Sequence, residues 1–134
     1  MDYSFSSELK DGYVHVRIRG SSDVPTTARY MEEMFRACKE HRCTHLLIEE
    51  NLDGERLSMG DIFQVISEKI DELRPTIRVA AFVDVSDRPS VTNMKFAENV
   101  IVNRGITVTY FATVQDAEAW LRKQITSSRL PSGS

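Results

Sequence analysis

Long apolar runs are missing from this 134-residue chain. None approaches the roughly 20 residues that a helix needs to cross a bilayer, so membrane insertion is not expected. Basic runs are missing too: 17 lysines and arginines stand against 20 acidic residues, a net charge of −3. Nucleic-acid binders gather cations on one face because phosphate contacts dominate their affinity; this balance argues against such a partner. The start, Met1-Asp2-Tyr3-Ser4-Phe5-Ser6, has neither the basic residues nor the apolar stretch of a secretory signal. The cytoplasm is therefore the expected location. Cysteine is scarce, and a structural disulfide between Cys38 and Cys43 is not expected in a reducing compartment. Catalytic signatures are also missing: no G-x-S-x-G elbow, no P-loop, no G-x-G-x-x-G after a strand and no H-E-x-x-H. Nothing nominates a nucleophile with a base and an orienting group. The chain reads as a non-enzyme, with no cofactor and no metal required.

What is present suits a globular domain: 41% hydrophobic and 28% charged residues are ordinary values for one. A chain this long buries about two thirds of the surface its unfolded form exposes, enough for a core without staples. Tyr3, Phe5 and Leu9 occupy alternate positions of a first strand, and Lys10-Asp11-Gly12 supplies a turn. Val14, Val16 and Ile18 then alternate with His15, Arg17 and Arg19, the period-2 signature of a half-buried strand. Together these predict an antiparallel hairpin. Pro25 suits a first helical turn, and Ala28, Met31, Phe35 and Cys38 follow at helical spacing. Leu46-Leu47-Ile48 reads as a strand covered on both faces, and residues 49–55 as an acidic loop.

The next helix has the clearest stripe: Met59, Ile62, Phe63, Ile66, Ile70 and Leu73, ended by Pro75. A strand over residues 77–83 and a loop over 84–89 lead to a third helix with Met94, Ala97 and Ile101 inward, which Gly105 terminates. Ile106, Val108 and Tyr110 mark the last strand; Ala117, Trp120, Leu121 and Ile125 mark the inner side of the last helix. The order ββαβαβαβα predicts an α/β fold. Its single five-stranded sheet is mixed but mostly parallel, with right-handed crossovers. One domain is expected over residues 1–126, with a disordered tail over 127–134.

That order, with its N-terminal hairpin, resembles the STAS or anti-sigma factor antagonist family, and more narrowly its SpoIIAA-like branch. The local likeness lies in Gly105-Ile-Thr-Val-Thr-Tyr-Phe-Ala-Thr-Val-Gln-Asp-Ala-Glu-Ala-Trp-Leu121, which is similar to the branch's closing strand and helix, with its Ala-x-x-Trp-Leu pattern. The resemblance covers roughly Tyr3 to Gln124. It implies a regulatory module that works through a protein partner. In that family a kinase phosphorylates a serine in an Asp-Ser-Ser-Gly-like segment at the start of the helix after the third strand. Here the stretch reads Glu55-Arg56-Leu57-Ser58-Met59-Gly60-Asp61: Ser58 and Gly60 stand in about the right place, but the Asp-Ser pair is absent.

Three sets of residues are candidate sites. Ser58 and Asp61 have the S-x-x-acid spacing of a helix capping box, which explains both; phosphate on Ser58 would suit a helix N-terminus but meet Glu55 and Asp61. The loops leaving the C-terminal edge of the sheet bring Glu49, Glu50, Asp53, Asp84, Asp87 and Arg88 to one rim. At such edges open α/β sheets bind ligands, where strand order switches; a merely solvated rim explains the same residues. Cys38, His41, Cys43 and His45 have zinc-type donors at a spacing that matches no established zinc pattern. A buried thiol and helix-terminal histidines account for them. The leading expectation is a non-catalytic module that binds a protein through the rim around Ser58 and the helix from Met59 to Leu73. The alternative is a carrier or sensor for a small apolar ligand or lipid, because the sheet also resembles the core of CRAL-TRIO-type lipid-transfer domains. Residues 13–19, if they lie at a sheet edge, would offer a surface for a homodimer.

Overall fold

The computed structural model describes residues 3–54, 57–87 and 89–129. The strands are β1 (Ser4–Leu9), β2 (Val14–Ser21), β3 (His45–Asp53), β4 (Val79–Asp84) and β5 (Thr107–Phe111). The helices are α1 (Val24–Glu40), α2 (Met59–Leu73), α3 (Val91–Val102) and α4 (Val114–Arg129). They follow one another as ββαβαβαβα. The strands lie side by side in sequence order, β1 antiparallel to β2 and all others parallel.

This order has a geometric consequence. Three successive right-handed crossovers that each step to the next strand in the same direction must lay their helices on one face. Accordingly α1 packs on α2 and α2 on α3, while α4, which follows the last strand, returns across the opposite face onto β3, β4 and β5. A sheet wound this way never reverses its strand order, so the switch point that motivated the rim as a ligand site does not exist here.

Strand register divides the side chains between the two layers. Val14, Val16 and Ile18 of β2 face the three helices with Leu46, Ala80, Phe82 and Val108. Tyr13, Leu47, Ala81 and Val83 face α4, where they meet Ala117, Leu121 and Ile125. Trp120 is half-buried at the flank of that cluster, its ring 5.5 Å from Phe111. Gly105 ends α3 with φ +100°, a backbone state open to glycine and strained for other residues.

Several expectations are corrected. β2 is interior, paired on both sides, and β1 is the edge strand; residues 13–19 offer no open edge for self-pairing. β3 runs on through Asp53 because β2 is long enough to pair with it as far as Ser21, so Glu49, Glu50 and Asp53 belong to a strand and not to a loop. Leu9, at 51% exposure, lies outside the core. α4 continues to Arg129, past the expected start of the tail at Ser127; residues 130–134 lie outside the described ones. The α2 stripe is narrower than its spacing suggests. Ile62, Val65, Ile66, Ile70 and Leu73 are buried, whereas Met59 and Phe63 stand 45% and 48% exposed.

Candidate functional site

The C-terminal edge of the sheet carries the ends of β3 and β4 and the starts of α2 and α3. Glu50 and Asp84 are register partners there and point to the three-helix side. Both are buried, at 8% and 5% exposure, which excludes the reading of them as a solvated rim. Burial of a carboxylate requires hydrogen bonds. Tyr30 of α1 donates its hydroxyl to Glu50 Oε1 at 2.6 Å. Asp84 accepts the backbone amides of Ser86 at 3.0 Å and Ser90 at 3.3 Å, so it shapes the loop that feeds α3. Burial, reinforced by the neighbouring Glu50, pushes the Tyr30 hydroxyl well above its ordinary ionisation range. Tyr30 is a neutral donor at any physiological pH.

The remaining rim residues part company. Glu49 points to the opposite face of the sheet. Asp53 and Asp87 are exposed, and Arg88 lies outside the described residues. Asp53 takes part through its carbonyl, which accepts the Ser22 amide at 2.7 Å. Among the described residues no three His, Cys, Asp or Glu side chains converge to hold a metal ion.

Ser58 caps α2: its backbone is extended and its hydroxyl accepts the Asp61 amide at 3.1 Å. Asp61 lies in the first turn, where a carboxylate complements the helix dipole. A Cβ on Gly60 would meet only Ser58 Oγ, at 3.8 Å, so helix geometry does not demand glycine there. Beside the cap, Met59 and Phe63 are four residues apart and therefore neighbours on one exposed face. The Arg104 guanidinium sits 5.4 Å from the Phe63 ring centre and also donates to Ser67 Oγ at 3.1 Å. Asn93 of α3 donates to the Leu57 carbonyl at 2.9 Å, tying the entry of α2 to the next helix.

On the α4 face His15 is buried in a polar chain. Its two ring nitrogens lie 2.9 Å from Lys10 Nζ and 2.9 Å from Glu49 Oε1. An ammonium can only donate, so Nδ1 must accept and Nε2–H must donate to Glu49. The ring is neutral, and desolvation holds its pKa below the ordinary 6.5 against the pull of Glu49. Lys10 reaches Glu118, which also accepts the Tyr13 hydroxyl. Cys38, His41, Cys43 and His45 stay close in the fold, with His41, Cys43 and His45 lining one shallow pocket, but they do not converge on a metal position. Cys38 is fully buried and burial pushes its thiol up to about 12; the single S–H of Cys43 lies between the carbonyls of Gly12 and His45, at 3.4 and 3.3 Å; His41 is the exposed C-cap of α1.

Sequence reasoning missed Tyr30, Asn93 and the His15 chain. Tyr30 to Glu50, His15 to Glu49 and Asn93 to Leu57 span 20, 34 and 36 residues, and only parity along β2 and β3 hinted that His15 and Glu49 share a face.

No protein-family profile matches the chain, and no curated protein matches it. Among solved structures it is similar to an anti-sigma factor antagonist from Mycobacterium paratuberculosis. That similarity has 19% identity and a TM-score of 0.57 over 90% of this chain and 95% of that one. It is also similar to the anti-sigma factor antagonist SpoIIAA in its unphosphorylated form, at 16% identity and a TM-score of 0.49 over 89% and 98%. The first of these establishes the fold as the STAS/SpoIIAA-like one, a mixed five-stranded sheet with four helices.

Proposed function

We propose that this chain is a non-catalytic regulatory module of the cytoplasm that docks a protein partner on the start of α2. The observation that carries the reading is the exposed pair Met59 and Phe63. An amphipathic helix normally turns such side chains inward. These two instead form an apolar patch beside the Ser58 cap, with Gly60 and Asp61 alongside and Arg104 over the aromatic ring. Aromatic, methionine and arginine side chains are the residue types enriched at the buried centres of protein interfaces.

Two further points support it. The similar structure is, by its name, an antagonist of another protein. His15 has both ring nitrogens engaged, by Lys10 and Glu49, so it activates no serine or cysteine nucleophile. No helix among the described residues is long and apolar enough to cross a membrane. In this reading Ser58 serves the helix as a cap and is no phosphorylation switch, because the acidic Asp61 already occupies the first turn.

The test is a quantitative capture from a lysate of the source organism with three baits: the unaltered chain, the double variant Met59→Glu/Phe63→Glu, and Lys123→Glu on exposed α4 as a remote control. A partner held by the first and third baits and lost at least tenfold by the second supports the reading. Equal capture by all three removes it.

A further inference from the structure

Between the sheet and the three helices lies a partly open chamber of about 140 Å³. Its origin is legible in the side chains. Ala80 near the start of β4 and Ala97 on α3 both line it, and both are small side chains. Met31, Met34 and Met94 are part of the wall, unbranched side chains that adjust to irregular contents.

We infer that this chamber is a binding site for a small, uncharged, predominantly apolar molecule of the size of a substituted benzene. The inference is independent of the docking surface on α2, and each can fail without the other. Size comes first. A cavity of about 150 Å³ lined by aliphatic and aromatic carbon accepts benzene; this one has a similar volume and a mostly apolar lining, is partly open, and carries polar side chains such as Glu50, Asp84 and Asn93. Water is a poor occupant, because it needs two to four polar partners and the middle of the chamber offers the carbons of residues such as Leu46, Ile66 and Val108.

Charge narrows the class. Glu50 and Asp84 line the end beneath the C-terminal edge, so a carboxylate headgroup would enter against two acidic side chains and lose its hydration as well. A fatty-acid anion therefore fits badly, and a neutral ligand fits well. Tyr30 and Asn93 at the same end leave room for one hydroxyl or similar polar group on the ligand. A mostly apolar cavity with a few polar groups at one end is the usual form of a small-molecule site.

The methionines supply the readout. In protein carrying 13C-methyl methionine, toluene should move the Met31, Met34 and Met94 methyl signals saturably and leave exposed Met59 in place. Octanoate should move none of them. Ala97→Leu and Ala80→Val narrow the chamber, and either should abolish the toluene response while keeping the far-UV spectrum. The inference is overturned if toluene leaves the three signals still, or if it shifts Met59 equally. It is also overturned if octanoate shifts the chamber methyls as strongly, or if folded narrowing variants respond like the unaltered chain. The titration of the unaltered chain decides the matter even if neither variant folds.

Discussion

On one face of the sheet a single helix, α4, seals Leu47, Ala81 and Val83 with Ala117, Leu121 and Ile125, each at most 7% exposed. On the other face three helices cover a larger apolar layer yet leave a chamber of about 140 Å³ inside it. More helix has given looser filling. Close packing is decided by the volumes of the side chains that meet, and the small residues Ala80 and Ala97 fall where the three-helix side needed bulk. The tight face fits a stability role, and the open face keeps room for contents.

The sharpest way to break this contrast is a pair of truncations. Leu121→Ala should cost about 3–5 kcal/mol, the upper range for a fully enclosed leucine. Met34→Ala on the chamber wall should cost about 2 kcal/mol, because some of the atoms it removes border space that already lacks partners. Urea unfolding of both variants measures the difference. Equal costs would mean that the two layers are packed alike.

Helix ends come next in size. A loosely filled layer holds its helices less firmly, so their termini should matter more there. Gly105→Ala must place a side chain at φ +100°, with its Cβ 3.3 Å from Arg74 Cδ, and should cost about 1–2 kcal/mol. Ser58→Ala should cost about 1 kcal/mol, whereas Ser58→Asp, which also caps, should stay near the unaltered stability. Thermal unfolding of the two Ser58 variants separates a cap from any other role: equal losses would dismiss the cap.

The same contrast explains how much could be read without coordinates. All nine elements were legible, because period-2 and helical patterns change cleanly at Gly12, Gly20, Pro75 and Gly105. The inner residues of α4 were legible too. Met59 and Phe63 were not, since a stripe shows which side chains share a helix face but not how wide the opposing surface is; the cover on α2 reaches Ile62, Val65 and Ile66 but not the neighbouring Met59 and Phe63. Glu50 and Asp84 were misread for a related reason. A run of acidic residues looks like a solvated loop until strand pairing carries β3 on to Asp53 and turns every second side chain inward. The alternative of an apolar-ligand carrier allowed for such a chamber, but the residues that line it, Ala80 and Ala97 among them, come together only through the packing of α3 on the sheet.

The smallest effect tests how the α4 face meets its polar margin. His15 is buried and neutral, with a pKa below 6.5 caused first by desolvation and then opposed by Glu49. In the unfolded chain the ring recovers its ordinary value near 6.5. Between that value and the lowered folded one, the unfolded chain binds the extra proton and the native chain does not. Stability must therefore rise with pH across this window, and be fully present above about pH 7.5. Acidification from pH 7.5 to 5.5 should weaken the domain, and His15→Gln, which cannot protonate, should show a shallower decline in urea midpoint over the same range. Protonation would also set a cation beside Lys10 and Arg17, so the loss has the same sign from both causes. Identical slopes for the two proteins would show that folding leaves the proton affinity of the ring unchanged, and would undo the neutral, desolvated state assigned to His15 between Lys10 and Glu49.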